Sequence, residues 1–481
     1  MKLIYDVDAK PSMGKTLVFA FQQMIAIMAA TLLVPILMSS YTLLDGVSTL
    51  SFDPSAALFG AGIGTIVYLL FTKRKSPVFL GSSFTFLGAY AAVIGQNYGY
   101  WGVIIGVAFA GLVYVIIALI IKFTSAAWVN KLMPAVIIGP IVAIIGLSLS
   151  GTATGWMATN GGSGYSLIWI LVGTVTFLTI VWASTKGTKG MKLVPFIIGI
   201  GVGYLFALIL TAFGYMFKVD LLKIVSFQPF IDTFSPFSFT SILDYPKFTF
   251  LKAIQTNGTY PIDGVAIANI ALTFVPIGIV ELAQHIADHK NLGNIIEKDL
   301  ITDPGLDNTL LGDGVGSMVG AFFGGAANTT YGESIGCVAI TKNASIVSIF
   351  YAALGCMILS FFSPFVTVIN SIPKCVMGGA CIAMYGFIAV SGLQMLKTVD
   401  LNDSKNLYVV AAILVTGIGG LTLNFGTNKI TGGALISFGG LATALIIGLI
   451  TNLIVNSIPS LDKEDKAEEA AEKEAAASKQ E

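Results

Sequence analysis

The chain has 481 residues, zero formal net charge, 55% apolar residues and only 11% charged ones, with a mean hydropathy of +0.85. Soluble domains carry about a quarter charged residues, and here no Asp or Glu occurs between Asp53 and Asp220. This excludes a soluble globular protein, and the balanced charge without a basic patch gives nucleic acid no footing. Most of the chain is solvated by lipid.

Residues 1–12 are polar and charged, so no cleavable signal is expected and the first apolar run must direct insertion itself. A helical crossing needs about 20 mostly apolar residues. On that rule fourteen segments are predicted. Seven lie near 15–39, 55–72, 77–95, 99–121, 126–149, 166–184 and 193–215. Seven more lie near 264–288, 308–324, 326–341, 344–368, 373–395, 404–423 and 432–457. A polar, aromatic, Pro-containing connector at 219–263 separates the two sets.

Positive residues stay on the cytoplasmic side of short loops. Lys73, Arg74 and Lys75 follow segment two, Lys122 follows four, and Lys186, Lys189 and Lys192 follow six, whereas the loops near 40–54, 94–98 and 150–165 have no Lys or Arg. Both termini are therefore expected on the cytoplasmic side of an inner membrane. Lys374 and Lys429 run against this pattern. Seven segments per half turn the halves over relative to each other, as in inverted-repeat transporters. Met133-Pro134-Ala135-Val136-Ile137-Ile138-Gly139, opening segment five, is echoed by Ile372-Pro373-Lys374-Cys375-Val376-Met377-Gly378, opening segment twelve. The tail at 462–481 is Lys, Glu and Ala, a solvated helix or an irregular end.

Segments three and ten both look broken. Segment three reads Leu80-Gly81-Ser82-Ser83-Phe84-Thr85, and segment ten reads Asn328-Thr329-Thr330-Tyr331-Gly332-Glu333. Hydroxylic residues beside Gly are poor material for a lipid-facing helix, and backbone that leaves the helix at membrane depth must line a cavity or be covered by protein. Paired interruptions at matching places point to a substrate site, with half-helix N-termini offering free N–H groups. Glu333 stands where segment ten resumes its helix, and a carboxylate there is a functional candidate. Ser82 and Ser83 read equally well as groups returning hydrogen bonds to the backbone.

Segment eight carries Glu281, Gln284, His285 and Asp288 on one helical face. His285 and His289 lack the intervening Glu of a zinc-protease helix, so no metal site is expected. His289, followed by Lys290, reads as the end of that segment. Gln22 and Gln23 in segment one need partners, which segment eight could supply. Cys337, Cys356, Cys375 and Cys381 lack ligand spacing and read as small core residues.

At these motifs the sequence resembles the nucleobase–ascorbate transporter family, in its bacterial uracil-permease branch. The likeness covers about 14–453 and includes Ala30-Thr31, Val34-Pro35, Leu80-Gly81-Ser82-Ser83-Phe84, Lys298-Asp299-Leu300, Asp303-Pro304-Gly305-Leu306 and Asn328-Thr329-Thr330-Tyr331-Gly332-Glu333. It implies an all-α polytopic membrane protein of fourteen spans in a 7+7 inverted repeat, with short β-strands in segments three and ten. It also implies a core domain at 14–121 and 263–368 and a gate domain at 122–215 and 369–458. The cytoplasmic N-terminus at 1–13, the external connector at 216–262 and the tail at 459–481 complete the chain. A homodimer is common among members.

The resemblance gives Glu333 the role of hydrogen-bonding a pyrimidine ring. Gly332, Glu333 and Phe84 offer backbone N–H groups to the substrate carbonyls, the Phe84 ring and Ala30 pack on the base, and Tyr331 and Tyr385 lie near it. There are three departures. The family's Gln-His pair is Gln22-Gln23, its segment-eight Glu is Gln284, and the His one turn on is Asp288. An amide can still meet a uracil edge of alternating C=O and N–H, but Gln284 cannot titrate. Asp288, Glu333, Glu281 and His285 are then the candidates for coupling, with H+ the expected ion and Na+ the alternative. The expectation is uracil import without a cofactor. The alternatives are a purine such as xanthine, or an anion transporter or channel on the same architecture. The last is disfavoured by Glu333, Asp288 and the absence of Arg beyond Arg74. No assembled catalytic set points to an enzyme.

Overall fold

The computed structural model describes residues 3–124, 134–162, 164–427 and 434–457. Nine helices among the described residues are long and apolar enough to cross a membrane. In chain order the principal elements begin with α1 (Met13–Met38), α2 (Pro54–Phe71), β1 (Leu80–Ser82), α3 (Leu87–Gly95) and α4 (Gly99–Phe123). Next come α5 (Ala135–Ser148), α6 (Ser150–Thr159), α7 (Leu167–Thr185), α8 (Pro195–Met216), α9 (Gln228–Phe234) and α10 (Thr249–Gln255). The second half holds α11 (Gly264–Ile296), α12 (Leu306–Gly324), β2 (Asn328–Thr330), α13 (Gly332–Thr341), α14 (Ile346–Leu359) and α15 (Ser363–Ser371). It ends with α16 (Lys374–Met395), α17 (Ser404–Ile418), β3 (Leu423–Thr427), β4 (Ala434–Phe438) and α18 (Gly440–Ser457).

Local chemistry sets the boundaries. Asp53 caps α2 by accepting from Ser55 N at 2.9 Å, with Pro54 in the first turn, and Asp263 caps α11 by accepting from Ala266 N at 2.7 Å. Pro134 and Pro373 stand immediately before α5 and α16, so the sequence echo from Pro134 onward marks two equivalent helix starts. Met133 lies outside the described residues.

Close packing of small residues holds the interior together. A methyl group placed on Gly60 would sit 2.5 Å from Gly320 O, and one on Gly64 would sit 2.8 Å from Gly316 O. The backbones of α2 and α12 therefore touch along an antiparallel seam, as small residues allow in membranes. α5 and α16 meet in the same manner, Gly139 against Gly392 and Gly146 against Tyr385. α1 packs on α14, α4 on α11 and α12, and α7 on α8 and α16.

Several expected boundaries are corrected. Segment five does not end at 149, because α6 continues the chain as helix to Thr159. Lys374, assigned to the outer side, places its ammonium 5.6 Å from the Trp156 ring of that helix. Segment eight runs eight residues further than expected, to Ile296, so His289 lies inside α11, buried, and does not mark its end. Segment eleven is two helices, α14 and α15, broken at residues 360–362. Segment thirteen stops at Ile418, and β3 pairs with β4 in an antiparallel hairpin before α18. Short apolar runs of this kind do not distinguish strand from helix by periodicity. Lys429 and the charged tail lie outside the described residues.

Candidate substrate site

The two broken segments meet as expected. β1 and β2 pair antiparallel, with Leu80 opposite Thr330, Gly81 opposite Thr329 and Ser82 opposite Asn328. Each strand then feeds a helix. Ser83 caps a single 3-10 turn at Phe84–Phe86 that leads into α3, and Tyr331 leads into α13. Buried groups fix this strand pair. Ala327 N donates to Tyr90 Oη at 2.7 Å, Tyr331 Oη donates to Ser82 O at 3.2 Å, and Ser317 Oγ donates to Asn328 O. Gly81 is required by close approach, since a methyl group there would lie 2.8 Å from the Tyr331 ring.

A cavity of about 520 Å³ opens beside the strands. Segment three contributes Ser83, Phe84 and Thr85, segment ten contributes Thr329 to Glu333 and Gly336, and α11 contributes Gln284, Ala287 and Asp288. The opposite wall is Val142 of α5 with Met384, Phe387, Ile388, Ser391 and Met395 of α16, and Ser184, Lys192 and Phe196 line it as well. In α13 the first backbone N–H to reach a backbone acceptor is that of Ile335, which bonds Tyr331 O at 3.2 Å. The N–H groups of Gly332, Glu333 and Ser334 precede it and have no helical acceptor. Gly332 has open space where a side chain would stand. The wall therefore offers backbone donors, the Glu333 and Asp288 carboxyls, the Gln284 carboxamide and aromatic rings such as Phe84, a set suited to a flat polar heterocycle.

Not every expected residue reaches the cavity. Glu333, Gly332, Tyr331, Phe84, Gln284 and Asp288 line it. Ala30 is buried and does not. Tyr385 stands behind Phe84, their rings edge to face at 5.9 Å. The polar stripe of α11 splits: Gln284 and Asp288 face the cavity, while Glu281 and His285 turn into packed protein. Glu281 accepts from Ser83 Oγ at 3.2 Å, and Asp288 accepts from Thr330 Oγ1 at 3.1 Å. Gln23 finds its partner in α13, not in segment eight, donating to Ser334 O at 3.3 Å and to Ser334 Oγ. Ser334 Oγ in turn accepts from Phe79 N at 2.9 Å, tying α1, the residue leading into β1, and α13 together.

One residue escaped the sequence reading. Asp313, fully buried in α12, lies 2.6 Å through Oδ2 from His285 Nδ1. The rule that singled out Glu333, an acid inside an apolar segment, applies equally to Asp313 within 308–324.

Comparison with known proteins agrees with this geometry. Residues 14–425 match the model of the Permease family, Xan_ur_permease. The uracil permease of Bacillus caldolyticus is 37% identical over 461 residues, covering 95% of this chain and 96% of that protein. Those of Bacillus subtilis and Escherichia coli K12 are 33% and 31% identical, covering 91% and 95% of this chain and 92% and 97% of their own. In fold, the chain resembles the transmembrane domain of the cyanobacterial bicarbonate transporter BicA, with TM-score 0.55 and 14% identity over 91% of this chain and 98% of that one. It also resembles SLC26A9, with TM-score 0.53 and 12% identity over 90% and 65%. These relatives are transporters by name, not enzymes. With residues 14–425 matched by the family model and its helices apolar, this multi-pass membrane protein belongs to the permease family of nucleobase–ascorbate transporters.

Proposed function

We propose that the chain imports uracil, bound between the start of α13 and the turn after β1, and that a core moving against a gate exposes the cavity to each side alternately. The observation that carries this is the convergence on one cavity of Glu333, Gln284, Phe84 and the N–H groups at the start of α13 that have no helical acceptor. The names of the relatives support uracil as the substrate. Glu333 accepts from a ring N–H, backbone amides donate to ring carbonyls, and Gln284 serves either edge.

An inverted repeat of fourteen crossings is supported by the packing. α1 lies on α14 as α11 lies on α4, while α2 pairs with α12, β1 with β2 and α5 with α16. Exchanging the halves maps this pattern onto itself. The core then comprises 14–121 and 263–368 and the gate 122–215 and 369–458. Exposed Leu171, Leu178, Leu205 and Ile209 on α7 and α8 suit a lipid-facing surface. Both termini are assigned to the cytoplasm and the protein to the inner membrane as a homodimer. On that assignment the cavity, whose wall includes Lys192 and Met395, is open to the cytoplasm. Transport needs no cofactor and is driven by H+ rather than Na+.

The test is Glu333→Ala. Losing the acceptor for a buried donor costs about 1.5–3 kcal/mol, so uracil binding to the purified protein is expected to weaken by about tenfold to a hundredfold. Wild-type affinity would overturn the assignment. Xanthine is expected to compete poorly for labelled uracil uptake, and equal competition would favour a purine permease.

A further inference from the structure

Behind the cavity wall a line of buried polar side chains leads to a different opening. Its hub is Asp313, paired at 2.6 Å with His285, both side chains shut off from solvent. Thr330 N–H approaches the same Asp313 oxygen at 3.5 Å while the Thr330 hydroxyl donates to Asp288 on the cavity wall, so the pair sits one residue behind the site. The rings of His285 and His289 lie 4.0 Å apart. His289 Nδ1 is 2.8 Å from His285 O, and a carbonyl only accepts, so Nδ1 carries the hydrogen. In the neutral ring Nε2 is then the acceptor, and Tyr68 Oη donates to it at 2.6 Å. Tyr68 Oη also lies 2.7 Å from Ser76 Oγ, the neighbour of exposed Lys75. His289 forms part of a second pocket, about 390 Å³, with Lys290, Glu297, Lys298 and Asp299.

The charges around this line are one-sided. Glu281 and Asp288 on α11, Asp313 on α12 and Glu333 on α13 are carboxyls, and among the described residues none of them forms an ion pair with Lys or Arg. The other titratable groups facing the pair are His289, Tyr68 on α2 and Tyr114 on α4, the last with its ring 5.8 Å from His285. Among the described residues His285 is the one charge partner of Asp313, and it serves only by holding a proton. The pair is neutral with one shared proton and leaves an uncompensated buried charge without it, a costly state.

We infer that Asp313 and His285 hold the coupling proton, and that it leaves through His289, whose Nε2 is held by the Tyr68 hydroxyl, to the second pocket, separately from the cavity through which the base departs. This rests on the transport reading above. One proton joins the pair as the base binds, and one is released at the pocket. Only O–H and N–H bonds form and break, and one water or a ring rotation bridges the two imidazoles, whose planes are tilted by 32°. The substrate path and the proton path then share a wall at Thr330 but not a mouth.

The experiment uses the full chain in proteoliposomes with a trapped pH dye. It measures uracil counterflow, which needs no net proton movement, beside uracil-dependent acidification. Tyr68→Phe, His289→Gln and Asp313→Asn keep shape while removing a hydroxyl or a titratable group. Each is expected to keep counterflow within about twofold of wild type while acidification per uracil falls about tenfold or more, the scale of a lost proton-transfer group. Undiminished acidification in Tyr68→Phe and His289→Gln would overturn the route. So would an equal loss of both activities in all three, which marks a structural role. Wild-type counterflow without acidification would sink this inference together with the H+ coupling proposed above, and leave uracil transport itself standing. Absence of wild-type counterflow would sink both.

Discussion

Gly332→Ala separates a binding role for the start of α13 from a structural one. Nothing lies within 4 Å of a methyl group at this position, and Gly332 is not among the residues whose φ demands glycine. In the empty protein the change is therefore harmless, and the smaller entropy of the unfolded chain should stabilise it by about 0.4–1 kcal/mol. With a base seated against the Gly332 and Glu333 N–H groups, the methyl occupies space the ring needs. One neutral hydrogen bond lost is about 1 kcal/mol, and displaced ring contacts bring the total to about 1.5–3 kcal/mol, or tenfold to a hundredfold in Kd. Gly336, one turn on, also lines the cavity with nothing within 4 Å of an added methyl, but it stands about 6 Å further along the axis. Titration calorimetry with uracil should then show a large loss for Gly332→Ala and a small one for Gly336→Ala, at unchanged or higher melting temperature. Equal affinity in Gly332→Ala and wild type would refute placement of the base at this helix end.

Two further outcomes are expected. Ser334→Ala leaves Phe79 N–H without its buried partner and the Gln23 amide with the residue-334 carbonyl alone, at a cost of about 1–3 kcal/mol, and should lower the melting temperature in detergent; no change would show that water replaces the hydroxyl. Asp6 is held below its ordinary carboxylate range first by the Val7 N–H it accepts, with burial opposing and Lys298 assisting. Its contribution is complete above pH 3.8, its ordinary value, and is lost as pH falls through the lower folded value. Residues 4–7 lie along 342–346 through Ile4 N to Lys342 O and Ala344 N to Tyr5 O. Protection of these amides from exchange should therefore drop in acid, and Asp6→Asn should remove that dependence; an unchanged acid response in the variant would refute it.

The interrupted crossings were legible because Gly81, Ser82, Ser83, Thr329 and Thr330 make poor continuous helix at membrane depth, and Glu333 stood out by its cost there. The direction of the α11 stripe was not. Gln284 and Asp288 occupy one edge of a face whose other edge holds Glu281 and His285. Which edge meets the cavity depends on the rotation of the helix against α4 and α12, a tertiary quantity. The same holds for Gln23, whose partner Ser334 is 311 residues away. The β3–β4 hairpin was hidden because Leu423 and the mostly apolar Ala434–Phe438 extend the neighbouring helical segments, 404–423 and 432–457, in a hydropathy window.

The glycine seam between α2 and α12 limits how such a protein can move. Gly60 against Gly320 and Gly64 against Gly316 leave the two main chains touching, so neither helix can slide or roll without forcing a carbonyl into a Cα. Asn328 of β2 fills the hollow at Gly320, where an added methyl would collide with its amide, which locks the strand to the same block. Any swing that turns the pocket from one face of the bilayer to the other has to carry these pieces as a single solid body. The bending falls to the connections leading away from it.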